Sequence, residues 1–132
     1  MKLTLRNLQH YKNNSINPLI KQVCNYVLHR WHDYTDKKQI FTEVINNGCR
    51  SGCVPELIYT DDCVKFYKRY RKEIVCLLKT SMQEFGIYDL KSIFRQWDED
   101  DIFVESRRNQ AILAWFGFEE TLWQISNDFN LF

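Results

Sequence analysis

Apolar residues recur along this chain at intervals of three and four, the period of an α-helix with one buried face. From Pro18 the register is clear: Ile20, Val23, Cys24, Val27, Leu28 and Trp31 share one side, with Asn17 as N-cap and Pro18 at the first helical position. A second helix carries Ile40, Phe41, Val44 and Ile45 on one face, with Thr35 or Asp36 as its cap and Gly48 where a left-handed residue would close it. Val54 to Tyr59 reads as one helical turn or a short extended piece, and Pro55 near its start favours the turn. The longest surface helix opens at Thr60-Asp61-Asp62, a capping hydroxyl followed by two acids that suit the macrodipole. It gathers Cys63, Phe66, Tyr67, Tyr70, Ile74, Leu77, Leu78 and Phe85 on one arc, and Gly86 ends it. A shorter helix is predicted from Tyr88 to Trp97. At the other end, Leu3, Leu5 and Leu8 fit either a short helix or a peripheral arm over residues 1–14.

The stretch from Ala111 to Ile125 reads differently. Trp115, Phe116, Phe118, Leu122 and Trp123 spread apolar surface around most of its circumference, the pattern of a central helix enclosed by others, and Ser106 stands upstream as a cap. Gly117 sits in its middle, where glycine costs about 1 kcal/mol relative to alanine, so a close approach or a kink is expected there. Glu119 falls between Trp115 and Trp123 and needs a partner or solvent; Arg50, Arg107 and Arg108 are candidates for an ion pair. No segment alternates as a half-buried strand would. The expected fold is all-α, a single compact domain over residues 1–132 with about six or seven helices packed around a hydrophobic C-terminal helix.

Composition agrees with such a core: of 132 residues, 45% are hydrophobic and 15% aromatic. No apolar run approaches the ~20 residues of a membrane span, and Met1 to Asn14 lacks the apolar core of a secretory signal, so a cytoplasmic protein with no membrane partner is expected. Five cysteines, an odd number scattered as Cys24, Cys49, Cys53, Cys63 and Cys76, read as reduced thiols rather than a disulfide framework. The net charge is only +1, but it is unevenly spread. Residues 1–72 carry 13 Lys and Arg against 6 Asp and Glu, residues 73–132 carry 5 against 11, and the resulting +7 and −6 give that +1. A molecule with a basic and an acidic side is expected.

Four groups of residues invite a chemical reading. Lys65, Lys68, Arg69, Lys72 and Lys79 share the side of the long helix opposite its apolar arc, where like charges at i+3 and i+4 repel; a solvated face and an anion-binding face both fit. Asp98, Glu99, Asp100 and Asp101 form an acidic loop, which either decorates a helix start or imitates a phosphate backbone, and which lacks the spacing of a calcium loop. The loop Gly48, Cys49, Arg50, Ser51, Gly52, Cys53 is a tight turn, an anion cradle, or, with Cys63, His29 and His32, a loosely spaced ligand set. A thiolate at Cys49 or Cys53 would be favoured by Arg50 and would need His29 or His32 as base. Glu119, buried among aromatics, would have a raised pKa. No Walker or dinucleotide motif is present, and neither metal nor cofactor is expected. Nothing in the spacing completes a catalytic pair, so binding is expected ahead of catalysis.

Three stretches together resemble a family of small uncharacterised proteins of bacterial phages and mobile elements. They are Trp31-x2-Tyr34-x-Asp36-Lys37-Lys38-x2-Phe41, then Gly48-Cys49-x-Ser51-Gly52 with Leu57-Ile58-Tyr59, and finally Ala114-Trp115-Phe116-Gly117-Phe118-Glu119-Glu120-Thr121-Leu122. The likeness spans roughly residues 15–125 and carries no established activity, so no catalytic residue is transferred. It implies a small protein that binds and inhibits a host nucleic-acid-targeting defence system, as anti-CRISPR proteins do, in the cytoplasm of a bacterial cell. Its partner would be a host protein or ribonucleoprotein complex. One alternative is a DNA- or RNA-binding accessory protein using the basic helix face; another is a small enzyme centred on the loop from Cys49 to Cys53. An aromatic surface patch would also permit a homodimer.

Overall fold

Capping residues account for where most of the helices begin. The computed structural model describes residues 1–47, 54–84 and 106–132, and these form an all-α arrangement with no strand among the described residues. Five helices are described: α1 (Leu5–Asn14), α2 (Pro18–His29), α3 (Lys38–Asn47), α4 (Thr60–Glu84) and α5 (Arg107–Asp128). Short 3-10 turns occupy Trp31–Asp33 and Pro55–Leu57. The expected helix from Tyr88 to Trp97 lies outside the described residues, among which five helices stand where six or seven are expected for the whole chain. By contact density the chain divides into two units, Met1–Pro55 with Phe118–Phe132, and Glu56–Gly117.

In the first unit, the Thr4 hydroxyl accepts a hydrogen bond from the Asn7 amide at 3.1 Å and starts α1, whose Leu8 is fully buried. The Asn17 side chain does the same for α2, accepting from the Leu19 amide at 2.9 Å, with Pro18 contributing no orphan donor. Leu19, Ile20, Val23, Cys24, Tyr26 and Val27 form the buried side of α2. Tyr26 meets Phe118 edge-on with ring centroids 5.3 Å apart. Between α2 and α3, the Lys37 ammonium donates to the carbonyls of both Trp31 and Tyr34 and lies over the Trp31 ring. The Asp36 carboxylate then caps α3 by accepting from the Lys38 amide at 3.1 Å, and Ile40, Phe41 and Val44 are buried.

The C-terminal end of α5 closes on Asn130, whose φ of 54° is left-handed. The Leu131 amide donates to the Ser126 carbonyl and the Asn130 amide to the Asn127 carbonyl, both at 3.0 Å, which is a Schellman motif with asparagine in place of glycine. Tyr11 of α1 reaches this end: its hydroxyl donates to Asp128 at 2.6 Å and its ring packs on Phe129. A carboxylate in the last turn opposes the macrodipole, and the donated hydrogen bond offsets that.

In the second unit, one carbonyl ties three elements together. The Leu57 oxygen, in the Pro55–Leu57 turn, accepts from Cys63 Sγ of α4 at 3.4 Å and from Trp115 Nε1 of α5 at 3.2 Å. Cys63, Val64, Phe66, Tyr67, Tyr70, Ile74 and Leu78 are the buried side of α4, which kinks at Tyr70, where the backbone departs to φ −112° and ψ 22°.

The residues of α5 correct one expectation. It is not buried all round: Asn109, Leu113, Ala114, Phe118, Thr121, Leu122, Ile125 and Ser126 are buried along a stripe that winds round the helix, whereas Trp123 is 37% exposed. The Ser126 hydroxyl donates back to the Trp123 carbonyl at 2.7 Å, so a small polar residue packs as alanine would. Trp123 instead meets Phe132 edge-on, centroids 5.6 Å apart.

The expected close approach at Gly117 is real, and the neighbour is α4. A β-carbon there would lie 2.6 Å from Cγ1 of the fully buried Ile74. Gly117→Ala should therefore lower stability by about 1 kcal/mol, because an overpacking cost of roughly 1–3 kcal/mol exceeds the ~1 kcal/mol gain in helix propensity. With Ile74→Ala already in place the same change should stabilise. Urea denaturation of the four proteins measures this, and an equal effect in both backgrounds would rule out the contact.

Candidate nucleic-acid interface

The long helix α4 positions the basic residues. Its apolar residues turn inward, and Lys65, Lys68, Arg69, Lys72 and Lys79 all stand exposed on the opposite side. From Lys65 to Lys79 the row extends roughly 21 Å at 1.5 Å per residue. Arg69 lies over the neighbouring Tyr70 ring, 5.5 Å from its centroid. Burial pushes the Tyr70 phenol above its ordinary value; Arg69 pulls it down and Glu73 raises it again.

Asp61 lies one helical turn before Lys65, on the same side, and would weaken the positive field at that end. Arg107, at the start of α5, pairs with it. Both side chains are well exposed, at 63% and 74%, so the pair adds little stability; its effect is to neutralise the acid. The next acid along α4 after Asp62, Glu73, is half-buried and off the row.

The other candidates fare differently. Gly48 to Cys53 and Asp98 to Asp101 lie outside the described residues. His29 and His32 are exposed, while Cys63 is buried with its thiol engaged by the Leu57 carbonyl, which suits packing better than ligation. No group of three or more His, Cys, Asp or Glu is arranged to hold a metal among the described residues. Burial pushes the Cys24 thiol up to about 12, with Lys12 opposing, so it is no nucleophile at neutral pH.

Glu119 does not form the expected ion pair with Arg107, which is taken by Asp61. Its carboxyl sits above the ordinary value of 4.5, first because it is half-buried and second because Glu120 is close. Arg50, another candidate partner, lies outside the described residues. Two features had little signal in the sequence: the pairing of Arg107 with Asp61, and the exposed pair of Trp123 and Phe132, with Lys38 6.0 Å from the Phe132 centroid.

The chain belongs to the family described as Domain of unknown function (DUF7222), which matches residues 13–130. No curated protein and no solved structure matches it. No helix among the described residues is long and apolar enough to cross a membrane.

The raised Glu119 carboxyl has a defined consequence for stability. Above 4.5 the unfolded chain releases this proton while the folded protein still holds it, so stability falls as pH rises through that window. Glu119→Gln should raise the melting temperature at neutral pH and leave it unchanged well below 4.5. A lower melting temperature at neutral pH would mean that the carboxylate is held by a favourable partner.

Proposed function

We propose that this protein is a non-enzymatic accessory or regulatory protein of a phage or mobile element that binds nucleic acid through the basic ridge of α4. The observation that carries the reading is the row Lys65, Lys68, Arg69, Lys72 and Lys79, exposed along one helix side, with Asp61, one turn before it, paired to Arg107. Like charges in a row repel, and phosphates relieve that repulsion while releasing counterions from the nucleic acid. Cytoplasmic action in a bacterial host follows from this reading.

A second reading rests on a different surface. The exposed pair Trp123 and Phe132 offers the large amphipathic contact area that concentrates binding energy in protein interfaces. It supports an inhibitor that docks on a host defence ribonucleoprotein, as an anti-CRISPR protein would, with the ridge and the acidic residues Asp98 to Asp101 as further contacts.

Fluorescence anisotropy with mixed-sequence DNA and RNA tests the first reading. Five phosphate contacts predict a loss of affinity of roughly 500-fold between about 50 and 200 mM salt. Changing Lys65, Lys68, Arg69 and Lys72 to Glu should abolish binding while leaving the helical circular dichroism intact. Absence of binding at low salt would remove this reading. A host protein that co-purifies after nuclease treatment, and is lost on Trp123→Ala, would establish the second.

A further inference from the structure

Resting on the nucleic-acid reading, we infer that the ridge of α4 grips a nucleic-acid duplex by its phosphates, without choosing a sequence and without a preference for single strands. Three observations on α4 carry this. First, its aromatic residues face the wrong way to stack on bases: Phe66, Tyr67 and Tyr70 are buried on the side opposite the cations. Binding of single strands draws on base stacking against exposed aromatics, which this surface lacks. Without stacking, charge density decides. A duplex presents one charge per about 1.7 Å of axis against about 3.4 Å for each strand, so the same cations meet twice the field.

Second, between Lys65 and Lys79 the exposed ridge holds no asparagine or glutamine of the kind that reads adenine, and four of its five cations are lysines, which contact phosphate as point charges. Its one arginine, Arg69, is laid over the Tyr70 ring. Third, Lys65, Lys68, Arg69, Lys72 and Lys79 run along the centre of the outward side, with the exposed Arg71 at one edge. A helix seated in the major groove uses flanking cations for the two phosphate walls and its centre for the base edges. Here the centre itself is cationic, which suits lying against one backbone.

Among the described residues an exposed aromatic near the ridge is Tyr59, 70% exposed and just before α4, and it is separated from Lys65 by Asp61 and Asp62. It serves as the internal control. A competition assay at constant salt would compare a mixed-sequence duplex, a scrambled duplex of equal length, and the separated single strands. The duplexes should compete equally within about twofold and at least tenfold better than either strand, and Tyr59→Ala should change nothing. Tighter binding of a single strand, a tenfold loss on Tyr59→Ala, or a strong preference between the duplexes would overturn the inference while leaving nucleic-acid binding in place. Failure of every nucleic acid to bind would overturn both.

Discussion

The contact between Gly117 and Ile74 sets the geometry of the Glu56–Gly117 unit. With no β-carbon on α5, the Ile74 side chain of α4 closes to a distance that no other residue would permit. That approach fixes which side of α4 faces inward. Cys63, Tyr67, Tyr70 and Leu78 follow Ile74 into the interior, and the lysines on the other side are left in solvent. The Leu57 carbonyl secures the arrangement at one end, accepting from α4 and α5 at once. A packing constraint between two apolar positions thus displays a charged surface.

Electrostatics then refines that surface without holding the fold together. Arg107 and Asp61 are both too exposed for their pairing to stabilise much, yet the pairing offsets an acid in line with the cations. The opposite bargain is struck at Glu119, half-buried beside another carboxylate and kept from ionising freely. Such a group lowers stability at neutral pH, and no described pairing explains its retention.

Two of the three resembling motifs have an architectural explanation. In Trp31-x2-Tyr34-x-Asp36-Lys37, the lysine satisfies two carbonyls at the turn while covering the tryptophan, and the aspartate starts the next helix. In the motif around Gly117, Trp115 donates to the Leu57 carbonyl, Gly117 admits Ile74, and Phe118 meets Tyr26. These residues describe how the chain folds.

The sequence by itself determined α2 to α5 and most of their limits, because caps and apolar period act locally; α1 it left open between a short helix and an arm. Asn17 with Pro18, Asp36 and Ser106 each mark a helix start through contacts within three residues. It also fixed the opposition of apolar and basic sides on α4, since both follow from one helical period. What it misjudged was α5, where apolar residues spread around the wheel suggested full enclosure. Only tertiary structure decided that Thr121 and Ser126 go inside while Trp123 stays at the surface against Phe132, because burial of a small hydroxyl depends on what it can bond locally and which space neighbours leave. Tertiary structure likewise chose Ile74 as the partner of Gly117 and Asp61 as the partner of Arg107, contacts between residues 43 and 46 positions apart in the chain. Local period carries no information about such pairs; the meeting of α4 and α5 supplies it.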